Sequence, residues 1–386
     1  MPDAPPTARE PVQPGGFPGR FRSVVPDMPP LESVAVYLRE AYAAEWFSNF
    51  GPLSRRLETE LAGAYGAPGE TCVCASSATA ALSAALLSWP RPGPVLLPAF
   101  TFPASLAAIR AAGREPVVVD VSATTWALDP QAVEDALART DAAAVMAVSP
   151  FGIHDDVGEL LALCGRREAA LVVDSAAGLG AGRPRGAARQ GAFEIYSMHA
   201  TKPFCIGEGG VVFSHPDHEE SLRAALNFSL LAPARRELPA WGFNGKLSEL
   251  HAAVGLAQIR RFSMLLAGRH AFAARYAELL GPVRGVKAPA SVEAAPWQVF
   301  PVLASSVAAA DRMVASAASA GLEVRRYYRP SLTDWPGVRT LGACPIAADL
   351  AGRMCCLPIR SRIGPEADEI LGIVAWTAKA ALVEAN

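Results

Sequence analysis

The sequence predicts an α/β fold: a large domain whose mostly parallel mixed sheet carries helices on both faces, and a smaller C-terminal α+β domain. Two observations lead there. Continuous apolar β-type runs alternate with alanine- and leucine-rich helical stretches from about residue 95 to 174, and the rhythm changes after residue 206. At 386 residues the chain also exceeds the usual size of one compact domain.

The elements follow in order. Residues 1 to 30 are dense in proline and glycine with few large apolar groups, a composition that predicts a mobile arm. Strand-like runs at 95–97, 116–121, 143–148 and 170–174 alternate with helical stretches at 103–112, 130–138 and 157–166. Residues 211–214 follow a Gly-Gly turn and read as a strand, and 246–267 reads as one long helix linking two domains. Beyond it come a helix, a strand at 297–303, a helix at 308–320, a strand at 323–327 and a last helix. The expected division is therefore arm 1–30, large domain 31–265 and small domain 266–386.

Lysine plus arginine (35) nearly balance aspartate plus glutamate (37), so no overall field draws the chain to nucleic acid or to an anionic membrane. A small-molecule ligand is the better expectation. The seven cysteines are scattered without a CxxC pair, which predicts neither a disulfide framework nor a metal site, but buried thiols in a reducing compartment. No basic start precedes an apolar core, and no run reaches the eighteen apolar residues of a membrane span, so a cytoplasmic protein is expected.

Three segments carry chemistry. In Tyr196-Ser-Met-His-Ala-Thr-Lys202, followed by Glu208-Gly-Gly, a lysine stands among apolar and small residues. Burial there favours a neutral, nucleophilic amine, although a lysine on a loop is more often solvated. Asp174 ends an apolar strand, where open α/β sheets place ligands; it suits a cationic ring nitrogen, and equally a helix or turn cap. Cys72 to Leu82 reads as a short strand, small residues and the start of an alanine-rich helix, so its Ser/Thr hydroxyls and free N–H groups suit a phosphate or a plain cap. A phosphate cradle, a strand-end carboxylate and a buried-type lysine in that order are what a pyridoxal 5'-phosphate (PLP) enzyme needs.

Several separated motifs add to this: Ser48-Asn-Phe-Gly-Pro52, Ser76-Ser-Ala-Thr-Ala-Ala-Leu82, Pro98-Ala-Phe-Thr-Phe102, Pro116-Val-Val-Val-Asp120, Asp174-Ser-Ala-Ala and Gly242-Phe-Asn-Gly-Lys-Leu-Ser-Glu249. Together, from about Trp46 to the C-terminus, the chain resembles the DegT/StrS family of PLP-dependent sugar aminotransferases, which have the fold-type I architecture. The resemblance implies that Lys202 joins covalently to the cofactor and later moves protons, and that Asp174 partners the pyridine nitrogen. It further implies that Ala78, Thr79 and Ser197 hold the phosphate and that Phe102 stacks on the ring. Asn244 and Lys246 match positions that reach the phosphate of a neighbouring subunit, which implies a homodimer with shared active sites. The implied reaction moves an amino group from an amino acid, glutamate being expected, to a keto sugar that is expected to be nucleotide-linked.

The chain departs from the family at five points, one of them Lys246, which stands where an arginine is usual, though one branch also has lysine. The family glutamine near the cofactor's phenolic oxygen is Ala177, and a following histidine is Leu179. The histidine before Phe-Gly is Ser149, and a glycine in the phosphate segment is Ala78. These departures keep open a cyclitol or other keto acceptor, a PLP reaction other than transamination, and a non-catalytic regulatory protein on the same fold. Gly178-Leu-Gly-Ala-Gly182 lacks the full dinucleotide fingerprint. Arg325-Arg-Tyr-Tyr328 suits a diphosphate or sugar, or an ordinary strand and turn.

Overall fold

The computed structural model describes residue 17 and residues 19–154, 156–182, 190–230 and 242–380. Helices α1 (Leu31–Ala43) and α2 (Pro52–Tyr65) lead into β1 (Thr71–Ala75) and α3 (Ala78–Ser88). Then β2 (Val95–Pro98), α4 (Pro103–Ala111), β3 (Pro116–Val119), α5 (Pro130–Arg139), β4 (Ala144–Val148), α6 (Gly158–Arg166) and β5 (Ala170–Asp174) alternate. Strands β6 (Ala192–Ser197) and β7 (Gly210–Ser214) and helix α7 (Glu219–Ala225) close this part. Helices α8 (Glu249–Ile259) and α9 (Phe262–Leu280) lead to β8 (Val286–Lys287), β9 (Val299–Ala304), α10 (Val307–Ser319), β10 (Arg339–Thr340), α11 (Pro345–Arg353), β11 (Met354–Pro358) and α12 (Pro365–Ala380).

The large sheet has eight strands in the order β1-β7-β6-β5-β4-β2-β3-β10. β7 runs antiparallel to β1 and β6, and the pairs from β6 through β3 to β10 are parallel. Every residue of β2, β4 and β5 is buried, as continuous apolar runs require when helices cover both faces. The parallel register from Ala144↔Ala170 to Val148↔Asp174 brings the carboxyl ends of β4 and β5 level. The small sheet has the order β11-β9-β8.

Local signals set the helix starts. Asp129 caps α5 by accepting from the Gln131 and Ala132 N–H groups, with Pro130 at the first helical position. Ser77, Ser248 and Ser306 cap α3, α8 and α10 in the same manner. α2 is capped from a distance: the fully buried Glu249 carboxylate accepts from the Leu53 and Ser54 N–H groups at 2.6 and 2.9 Å. Glu249 thus stands buried as the cap of a neighbouring helix, although it opens a helix of its own.

Four expectations change. The long helix at 246–267 is two helices: Ser248 caps the start of α8, and a turn at Arg260 and Arg261 separates it from α9, with the Arg261 guanidinium tied to Asp27 and Met28. The strand at 323–327 reduces to a single bridge, Arg325↔Cys356, and β9 pairs instead with β8 and with β11, whose short apolar run lacks turn residues to mark it. The boundary placed after residue 265 falls inside α9, and β10 from the C-terminal part extends the large sheet beside β3.

The arm is the fourth. Residues 1–16 and 18 lie outside the described residues, but 19–30 are pinned. Phe21 is buried and pairs its backbone with Gly321 and Glu323, and the Ser23 N–H donates to Glu323. Arg360 donates to the Arg22 carbonyl, and Gln258 and Arg261 donate to that of Asp27. One aromatic anchor and satisfied backbone groups outweigh the proline-rich composition.

Candidate active site

The carboxyl ends of β4, β5 and β6 and the N-terminus of α3 open into a cavity of about 420 Å³, with the turn before Lys202 and residues 298–299 and 325–328 forming its other walls. Crevices outside the carboxyl ends of parallel strands are where such sheets take ligands. Ala78, Thr79, Phe102, Asp174, Ser197 and Lys202 all line it.

Asp174 is the last residue of β5 and is buried. One carboxylate oxygen accepts from the Ser105 hydroxyl at 2.6 Å, and the other from the Ala176 N–H at 3.1 Å. Burial pushes its carboxyl above the usual range, while Ser105, Ala176 and the charge of Lys202 pull it down. Asp174 thus caps the turn that follows it through the Ala176 N–H and also faces the cavity. Thr101 extends the chain of hydroxyls, 2.9 Å from Ser105.

Lys202 follows a tight turn in which its N–H donates to the His199 carbonyl. Burial lowers its amine to about 8, against the opposing pull of Asp174, so it is not the solvated lysine that a loop position suggests. The amine donates to Gln298 Oε1 at 2.9 Å. At the mouth of the cavity His199 approaches Glu208 at 3.5 Å.

The first turn of α3 faces the cavity through Ser77, Ala78 and Thr79, with Ser77 Oγ already accepting from the Ala80 N–H. Strand β7 approaches this turn so closely that a Cβ on Gly210 would lie 2.4 Å from the Ala78 nitrogen. Only glycine fits there. Gly210→Ala is expected to destabilise the fold by about 1–3 kcal/mol, read as a lowered midpoint in urea, because backbone rather than a flexible side chain meets the new atom. Ser197, the last residue of β6, places its hydroxyl on the same wall and accepts from the His199 N–H.

Phe102 precedes α4 and is about half exposed, lining the cavity rather than filling the core. Opposite, Tyr328 stacks on Phe151 with centroids 5.4 Å apart and planes 8° from parallel. Tyr327 accepts from Arg325 at 2.8 Å, and that arginine also pairs with Glu323, so the Arg325–Tyr328 segment is a wall of the site. Ala177 lines the cavity, and Ser149 lies 3.0 Å from Ser175. Leu179 is core.

Asn244 and Lys246 do not line this cavity. Asn244 is exposed; the Lys246 amine donates to Asn227 and lies 4.8 Å from the centre of the Phe228 ring. The Lys246 backbone bridges Ala75, which puts it beside the strand leading into α3. Sequence reasoning missed Ser105 and Gln298, which no local pattern marks. Among the described residues no cluster of metal-binding side chains occurs and no helix is long and apolar enough to cross a membrane. All seven cysteines are buried and free.

Comparison with known proteins agrees with this geometry. Residues 32–375 match the DegT/DnrJ/EryC1/StrS aminotransferase family. The dTDP-4-amino-4,6-dideoxy-D-glucose transaminase of Shigella dysenteriae is 26% identical, covering 88% of this chain and 94% of its own length. The erythromycin biosynthesis sensory transduction protein EryC1 of Saccharopolyspora erythraea is 30% identical over 88% of this chain and 96% of its own. The crystal structure of DesI with its TDP-sugar product superposes with a TM-score of 0.85 at 28% identity, over 96% of this chain and 95% of that one.

Proposed function

This chain belongs to the DegT/DnrJ/EryC1/StrS aminotransferase family, whose members use PLP, and we propose that it moves an amino group from glutamate to a nucleotide-linked keto sugar. The observation that carries the reading is the meeting, in one cavity, of a buried carboxylate and a half-buried amine lowered to about 8. The residues fit the cofactor: the buried Asp174 suits a cationic ring N–H, and the turn beside Gly210 offers backbone N–H groups and hydroxyls to a phosphate.

Ala78, Thr79 and Ser197 would hold the phosphate, Phe102 would cover the ring, Asp174 would keep the ring nitrogen protonated and Lys202 would attach the cofactor; all six line the cavity. When bound, PLP supplies the electron sink that lets a proton leave the donor's α-carbon. Lys202 Nζ would be the group that takes this proton and gives it back, in either direction of the transfer. The aromatic wall of Phe151 and Tyr328 excludes water from that side.

Two copies share their sites in this reading, with Asn244 and Lys246 of each reaching the phosphate of the other. Exposed Trp46, Phe47, Phe228 and Leu250 support it, since large apolar groups left in water mark an interface. A cytoplasmic setting is supported by the seven free thiols.

The test is the absorbance of the purified chain with PLP before and after glutamate. Loss of the visible band with gain of the pyridoxamine phosphate band is expected. A band indifferent to glutamate removes glutamate as donor, and no band at all favours a non-catalytic protein. The lowered lysine predicts a pH dependence as well. The free-amine fraction, and with it the rate of PLP attachment, should rise roughly tenfold from pH 7 to 9 and then level off, whereas an ordinary lysine would rise roughly a hundredfold without levelling.

A further inference from the structure

Lys202 donates to a residue from the other sheet system. Gln298 stands just before β9, is 9% exposed, and turns its carboxamide into the cavity, 2.9 Å from the amine. Its backbone is unusually constrained. Trp297, completely buried, sits at φ 53°, a conformation bulky side chains rarely adopt and which persists only where surroundings enforce it. Those surroundings are visible: the Arg269 guanidinium donates to the Trp297 carbonyl at 2.8 Å, the Trp297 indole N–H donates to the Val292 carbonyl, and Val299 enters the pairing with Pro358. The left-handed turn sets the direction in which Gln298 leaves the strand.

We propose that Gln298 is a positioning residue that holds the Lys202 amine, whenever it is free of the cofactor, at the point from which it moves protons, with Trp297 and Arg269 fixing Gln298. This rests on the assignment of Lys202 as the proton carrier. The chemistry favours a neutral carbonyl in this place. A carboxylate at 2.9 Å would hold the lysine as an ammonium ion, unable to take a proton, and an apolar group would let the flexible four-carbon stem wander. An amide oxygen accepts from the amine and, somewhat more strongly, from the ammonium ion without fixing the charge as a carboxylate would, so the nitrogen gains and loses its proton without changing position.

The experiment uses full-length protein loaded with pyridoxamine phosphate, in which the lysine amine is free. Its reactivity toward an acylating reagent is followed against pH by mass spectrometry of the Lys202 peptide, for the parent chain, Gln298→Leu and Gln298→Glu. The other charged or titratable groups lining the cavity, Asp174, His199, Glu208, Arg325, Tyr327 and Tyr328, are the same in all three. Gln298→Glu should raise the midpoint by about one pH unit or more and Gln298→Leu should lower it, because the ammonium ion gains a carboxylate in one and loses an acceptor in the other. Single-turnover reaction with glutamate should slow about ten- to a hundredfold in Gln298→Leu, with the affinity for pyridoxamine phosphate within about threefold. A purely structural role would move the midpoint in neither variant, or in the same direction in both, and that result overturns the proposal. If Lys202→Ala still turns over, the assignment of Lys202 itself falls; if Lys202→Ala is inert while both Gln298 variants match the parent, only the role of Gln298 falls.

Discussion

Lys202→Ala is expected to remove the visible band of lysine-bound PLP and to slow glutamate-driven amino transfer by at least about 10⁴-fold, since one nitrogen serves both as attachment point and as proton carrier. The substitution deletes the amine from the cavity and breaks its contact with Gln298, but touches none of the groups that hold Asp174 or cap α3. PLP should therefore still bind, though without a covalent link, and dialysis should remove it from the variant more readily than from the parent chain. A retained visible band, or turnover within about tenfold of the parent, would sink the assignment.

Asp174→Asn should give the second largest loss, about 10²- to 10³-fold in the single-turnover reaction with glutamate. Asparagine keeps the shape of the side chain and can still meet the Ser105 hydroxyl and the Ala176 N–H, so the change isolates the charge. A neutral amide cannot hold a ring nitrogen in its protonated form, and the electron sink weakens. Burial makes this charge costly to keep without a cation, so the free protein should become no less stable, and may be compared with the parent by urea unfolding without cofactor. Equal activity in the variant would show that Asp174 is structural after all.

The parts of this site that were legible in the sequence are those whose chemistry is local. Lys202, Asp174 and the first turn of α3 each lie where a strand run ends or a helix begins, and period and small-residue composition locate such points. Ser105 meets Asp174 across 69 residues and Gln298 meets Lys202 across 96, and neither partner bears any mark of the other in its own neighbourhood. Glu249 is the same case: a glutamate at a helix start reads as a surface charge, and only the docking of α2 on α8 makes it a buried cap. In the fold, the alternating strands and helices of the large sheet were legible because full burial on both faces leaves an unbroken apolar run. β11 has such a run too, but as five residues directly after a helix, with nothing to separate it from that helix.

The segment that begins the described chain also has a place in the order of folding. Residues 20–28 hold on to Gln258, Arg261, Gly321, Glu323, Arg360 and Glu369, all from the last third of the sequence. On the ribosome this stretch emerges well before its docking surface, which begins 231 residues downstream of Asp27, so it waits unattached while the large sheet assembles. Its closure is a long-range event that follows assembly of the sheet and fastens residues 20–28 to the small domain and to α8, and removing those residues would lose the fastening while leaving the sheet able to form.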